Sequence, residues 1–201
     1  LKRIAITILA ELVIFSALIA QESSLIKPRS VFKMSGVTVV SPGQAGWQLV
    51  KADKKEILFR KQDKDQICLA RVTIINAKPY DTVKGLLAAL EAEKEEEFKK
   101  TYEVDSLHFN QIGTKGGLCL QYDGIVGIKG SSSPFSHLNF KGWFCPYLGK
   151  WSILVEIEFS ERSNSRGLAD DLLALANEFF DGIGLSNTSA PRHGFPRLAG
   201  R

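Results

Sequence analysis

The residues of this chain whose types suit chemistry are few and scattered. They are Cys68, Cys119 and Cys145, the histidines His108, His137 and His193, the serines of "GSSSP", and the acids Glu91, Glu93, Glu95, Glu96 and Glu97. Zinc takes ligands at short, fixed spacings; there is no CxxC pair, and the histidines are far apart, so no metal centre is expected. A nucleophilic serine needs a base within reach and an acid that orients the base. His137 follows the serine run but would sit beyond its tip, and no acid is placed to orient it, so "GSSSP" reads as a hairpin loop. The acidic run surrounds a predicted helix and reads as its solvated face. Asp170 and Asp171 are adjacent and diverge on a helix, which makes a poor catalytic pair. GxSxG, HExxH, GxxxxGK[ST] and GxGxxG are absent, and "GTKGG" is too short for a phosphate loop. The expectation is a protein that is not an enzyme and takes no cofactor.

The elements that position these residues follow from hydrophobic spacing. After about residue 35, short strands alternate with polar turns. With a hairpin loop at Gln62–Asp65, Phe59 faces Cys68, Ile57 faces Ala70 and Glu56 faces Arg71. Cys68 then shares a face with Phe59, Ala70, Val72 and Ile74, as a small buried hydrophobe. A helix is predicted over about 82–102, capped by Asp81, with Val83, Leu86, Leu87, Leu90 and Phe98 inward. A second helix in "SRGLADDLLALANEFFDGIG" carries the stripe Leu168, Leu172, Leu175, Ala176, Phe179 and Ile183, and ends at Gly182 or Gly184.

Between the helices lie two hairpins. With the first tip at Ser132, Cys119 falls opposite Cys145, Gln121 opposite Trp143 and Asp123 opposite Lys141. The other face joins Leu118, Leu120 and Tyr122 to Pro146, Phe144 and Gly142. In the second turn, "LGKW", Gly149 and Lys150 take the central positions of a type II′ turn. Phe144 then meets Val155, Gly142 meets Ile157 and Phe140 meets Phe159. On the mixed face Cys145 meets Leu154, Trp143 meets Glu156 and Lys141 meets Glu158. Lys141 would lie between Asp123 and Glu158 in a surface charge cluster. Pro146 has no N–H to give, so pairing should end near Cys145. The cysteine pair is within disulfide reach. It is a bridge closing a loop of roughly 26 residues, worth about 3 kcal/mol, if the body is exported, and two neighbouring thiols if it is cytosolic.

The net charge of +4 comes from the ends. Lys2, Arg3 and Glu11 give +1, Arg192, Arg197 and Arg201 give +3, and the body is neutral. A basic nucleic-acid footprint is not supported. Lys2 and Arg3 precede an apolar run, Ile4 to Ala20, with the shape of a signal peptide or membrane anchor, although Glu11 interrupts it. The organisation expected is a signal or anchor over 1–20, a linker over 21–35, a single domain over 36–185, and a disordered basic tail over 186–201. The location expected is exported, periplasmic or anchored in the inner membrane.

The element order, together with "SPGQAGWQL" near the start, resembles the PsbP-like fold. That family includes the extrinsic photosystem subunit, Ran-binding relatives and many small exported bacterial proteins. The resemblance covers about residues 35–185 and implies an accessory or binding protein without catalytic residues. The fold class expected is α+β, an antiparallel sheet with two main helices packed on its apolar face. The expected surface for a protein partner is the mixed face with Gln121, Trp143, Tyr147 and Leu154, since such aromatics anchor interfaces. The alternatives are a helix or N-terminal strands covering that face, an enzyme with an unrecognised site, and a membrane-surface protein acting through residues 1–20 and the basic tail.

Overall fold

The computed structural model describes residues 24–77, 80–114, 117–129, 133–147 and 150–185. The apolar run at 1–20, the tail at 186–201, the tip at Ser132 and the turn residue Gly149 lie outside the described residues.

Among the described residues, eleven strands and two helices follow one another. They are β1 (Ser24–Leu25), β2 (Val31–Met34), β3 (Val37–Val40), β4 (Gln48–Ala52), β5 (Glu56–Gln62), β6 (Gln66–Asn76), α1 (Val83–Thr101), β7 (Glu103–Thr114), β8 (Gly117–Gly127), β9 (His137–Tyr147), β10 (Lys150–Ser163), α2 (Asp170–Asp181) and β11 (Ile183–Leu185). Eight form one antiparallel sheet in the order β1-β4-β5-β6-β10-β9-β8-β7, and a small sheet has the order β11-β3-β2. The α+β class and the large antiparallel sheet agree with expectation.

The placement of the helices does not. On β10, Leu154 joins the core under α1, with Leu86, Leu87, Leu90, Phe98, Leu120, Phe140 and Phe144. Val155, Ile157 and Phe159 join a second core with Leu172, Leu175, Ala176 and Phe179 of α2 and with Met34, Val37 and Val39 of the small sheet. Successive strand residues point to opposite faces, so the two helices lie on opposite sides of the sheet rather than on one apolar face. The central part of the sheet carries apolar residues on both sides and needs cover on both.

Segment 21–35, expected as a linker, contains β1 and β2. Leu25 pairs with Gln48, and Val31 with Val40. Phe32 and Met34 turn to the second core by strand alternation. Ser35 and Gly36 join β2 to β3 with φ of 44° and 87°, the two left-handed positions a tight hairpin requires. Trp47, of the Pro-Gly-Trp opening, is fully buried with its ring centroid 5.9 Å from that of Phe159.

Registers decide the faces. The β8–β9 register is the expected one, with Gln121 opposite Trp143 and Asp123 opposite Lys141, and its ladder stops at Leu120–Phe144. The β5–β6 hairpin is tighter than expected. Phe59 pairs with Ala70 and Lys61 with Cys68, a shift of two that keeps every side chain on its face. The β9–β10 register is one residue from the expected one. Val155 pairs with Cys145 and Glu156 with Phe144, because an irregularity between Lys150 and Leu154 resets the ladder. That single step moves Val155, Ile157 and Phe159 to the α2 side and Glu156 and Glu158 to the α1 side.

Both helices end where the sequence says. The cap of α1 is Thr82 rather than Asp81: its hydroxyl accepts from the Gly85 N–H at 3.1 Å. Gly182 closes α2, and Ile183 starts a strand instead of continuing the helix.

Candidate functional site

The register step on β10 builds a buried polar cluster under α1. The Tyr122 hydroxyl on β8 lies 2.9 Å from both Glu156 Oε1 and Glu158 Oε2. Lys94, on α1, places Nζ 3.3 Å from Glu156 Oε1. Arg71, on β6, reaches Glu156 Oε2 at 3.7 Å and Glu158 Oε2 at 3.5 Å. The ammonium of Lys94 also sits over the rings of Phe98, Tyr122 and Phe144, at 5.3, 5.2 and 5.7 Å. Gly142 makes the arrangement possible, because a Cβ there would overlap the Tyr122 ring.

Two cations face Glu156 and Glu158, and a third carboxylate, Glu97, lies 3.9 Å from Lys94 Nζ at the margin. Burial pushes the Lys94 ammonium down, but Glu156, Glu158 and Glu97 outweigh it and raise the group above its ordinary value. Burial pushes Glu156 up, and Lys94 and Arg71 pull it lower than they find it. Burial, then the two carboxylates, holds the Tyr122 phenol well above its usual range. Lys94, Tyr122 and Glu156 are all buried. The cluster therefore pins α1 to the sheet, with Arg71 and Glu158 at its partly exposed margin. Lys94 was legible in retrospect, since it stands four residues from both Leu90 and Phe98 on the inward stripe.

A second grouping opens β9. The Ser136 Oγ is 2.8 Å from His137 Nδ1, Arg166 Nε is 3.4 Å from His137 Nε2, and Asp105 Oδ2 is 4.0 Å from Nε2. Serine, histidine and aspartate are thus close together, although the sequence placed no acid there. The donors fix the direction of the protons. Arginine only donates, so His137 Nε2 accepts, and a neutral ring carries its proton on Nδ1. Nδ1–H then donates to Ser136 Oγ, whose own proton goes to Asn164 Oδ1 at 3.2 Å. An activated serine needs the opposite direction, giving its proton to the ring. The grouping ties the start of β9 to the loop before α2.

The four residues expected to form a binding patch are not brought together. Gln121 is half-buried on the α2 side. Trp143, also half-buried, stacks on Phe180 of α2 with centroids 4.8 Å apart. Tyr147 is buried and donates from its hydroxyl to the Ser35 carbonyl at 2.5 Å. Leu154 is fully buried on the opposite side, under α1. The covering of the mixed face by a helix and the N-terminal strands is what the structure has. The expected cluster of Asp123, Lys141 and Glu158 is likewise divided. Lys141 donates to Asn177 Oδ1 at 2.8 Å, Asp123 meets His108 Nδ1 at 3.3 Å, and Glu158 lies under α1.

Cys119 and Cys145 are joined in a disulfide with Cα atoms 4.5 Å apart. Cys68 is free and buried, as expected, and burial pushes its thiol up to about 12. Among the described residues no three metal-ligating side chains converge, and no helix is long and apolar enough to cross a membrane.

Among the described residues no further strand covers the β7 side. β7 is the last strand of the large sheet. Beside it runs a shallow, open groove lined by Glu91 and Glu95 of α1 and by Leu107, His108, Phe109, Asn110 and Asp123.

No family model and no curated protein matches the chain. Among solved structures it is similar to the Ran-binding protein Mog1p of Saccharomyces cerevisiae, at a TM-score of 0.49 and 10% identity, over 84% of this chain and 98% of that one. A mutant form of Mog1 is similar at a TM-score of 0.47 and 9% identity, over 84% and 98%. Cyanobacterial PsbP (CyanoP) from Synechocystis sp. PCC 6803 is similar at 0.45 and 12% identity, over 80% and 94%.

Proposed function

We propose that the chain is a non-enzymatic binding or accessory module, exported or tethered to a membrane through residues 1–20, and that its partner is a protein docking along β7 and the outer face of α1. The observation that carries the reading is β7 itself. It has 12 residues and ends the sheet. Proteins protect such edges with lysine, proline or short strands. From Ser106 to Gly113, "SLHFNQIG", β7 has neither lysine nor proline. An extended partner segment can add to this edge through main-chain bonds and use the adjoining groove for selectivity. The disulfide supports the exported half of the reading, since such bonds persist in oxidising compartments.

A photo-crosslinking residue at Asn110, exposed on β7, tests the surface in cells expressing the full chain, with Lys64 on the β5–β6 turn as control. A discrete adduct from Asn110 alone is expected. Equal or absent adducts at both positions reject the edge as the docking site. Fractionation of the same cells tests export: recovery in the soluble cytosolic fraction with all three cysteines alkylatable rejects it.

A further inference from the structure

Only three large hydrophobic side chains are prominently exposed among the described residues: Leu25 at 73%, Val31 at 62% and Leu173 at 39%. The two most exposed lie six residues apart, where the chain leaves β1 and enters β2. Every odd position there is exposed, namely Leu25, Lys27, Arg29, Val31 and Lys33. Ile26, Phe32 and Met34 turn inward to the second core. The exposed side chains of this corner, which include Ser24 and Pro28 as well, thus hold two large apolar groups and three cations. Between Ser24 and Lys51 the chain has no acidic residue at all. Glu178 neutralises Arg29, at 2.7 Å, while Lys27 and Lys33 make no ion pair among the described residues. Ser35 donates to the Lys54 carbonyl at 2.9 Å, which brings the exposed Lys54–Lys55 turn beside the β2–β3 turn.

Bulky apolar side chains in water next to unpaired lysines suit the boundary of an anionic bilayer. There the apolar groups enter the headgroup region and the ammonium groups meet lipid phosphates. Chain length points the same way. The apolar run ends at Ala20, and a chain spans at most about 3.5 Å per residue, so Leu25 lies within roughly 18 Å of that end. We infer that the β1–β2 corner is a lipid-contact surface that seats the folded body on an anionic membrane where the N-terminal run meets it, with Leu25 and Val31 inserted and Lys27 and Lys33 on the headgroups. The inference rests on the reading of residues 1–20 as a membrane tether. It leaves the β7 edge, seven strand spacings or roughly 30 Å away, free for the partner.

The full chain is reconstituted into vesicles of phosphatidylcholine, alone or mixed with phosphatidylglycerol. It carries an environment-sensitive fluorophore on Val31→Cys or, as control, on Asn110→Cys. Flotation reads the tether; emission and quenching by nitroxide-labelled lipid read the contact. The expected result is a chain that floats, with a blue-shifted, lipid-quenched probe at position 31 in the anionic vesicles and a water-like probe at 110. Lys27→Glu with Lys33→Glu should return the first probe toward water, each lysine being worth about fivefold. A chain that floats while position 31 stays as water-like as 110 overturns the contact and leaves the tether standing. A blue shift without lipid quenching also overturns it, since it means that protein covers the corner. A chain that does not float overturns the tether and the contact together.

Discussion

Strand β10 presents two different surfaces to its two sides. Toward α2 it shows Val155, Ile157 and Phe159, all deep in an apolar core with Phe59, Val72 and Phe179. Toward α1 it shows Glu156 and Glu158, held by Lys94, Arg71 and Tyr122. The α2 side is held by area removed from water, which tolerates exchange among hydrophobic residues of similar volume. The α1 side is held in part by charges that balance only as a set, and such sets fail when one member is removed. One helix is therefore attached in a forgiving way and the other in an exacting one.

The largest test of that contrast is Lys94→Met. It keeps the packing volume but leaves Glu156 buried without its nearest cation, and should lower stability by about 3–5 kcal/mol. Adding Glu156→Gln should recover most of the loss in urea unfolding. On the α2 side Leu175→Met should cost less than about 1.5 kcal/mol in the same assay. If the two single variants cost the same, the contrast fails.

Next in size is the bridge on the α2 side of the sheet. Replacing Cys119 and Cys145 by serine, or reducing them, should cost about 3 kcal/mol. Thermal unfolding with and without reductant measures it, and the serine variant should then be insensitive to reductant.

Acid separates the sides by sign. Glu156, set below the ordinary carboxylate range in the fold, gives stability that is present above that range and is lost as pH falls through its lowered value. Glu161, on the α2 side, is raised by burial, so protonation favours the fold at that position. Between about pH 5 and pH 3, stability lost on acidification should be reduced by Glu156→Gln and enlarged by Glu161→Gln. Unfolding midpoints across that range decide it.

The smallest effect sharpens the attachment of α1. Thr82→Ala removes the cap and should cost about 1 kcal/mol, while Asp81→Ala should be close to neutral. The reverse order in urea unfolding would restore Asp81 as the cap.

The β8–β9 register was legible over the described ladder, because a turn placed in "GSSSP" sets Gln121 opposite Trp143 and Asp123 opposite Lys141. The sequence could not show the β9–β10 register. The step between Lys150 and Leu154 has no signature in "LGKWSIL", and both registers give plausible pairs. From that step followed the expectation of one apolar face and a surface role for Glu158. Trp143 and Tyr147 read as interface anchors because an aromatic on a strand looks alike in sequence whether solvent or a helix faces it. Lys94 is absent from the predicted inward stripe of Val83, Leu86, Leu87, Leu90 and Phe98, because a charged side chain carries no apolar signal even where its position is inward.

The third thiol gives the molecule a fixed covalent history. Disulfide exchange begins when a thiolate attacks a bridge. Cys68 is fully buried, and with its thiol pushed up to about 12 almost none of it ionises near neutral pH. Once folded, the chain carries its one potential scrambling agent in a form that neither attacks nor is attacked. Mispaired isomers can arise only while β6 is still outside the core, so the burial of Cys68 protects the Cys119–Cys145 pairing once the fold has formed.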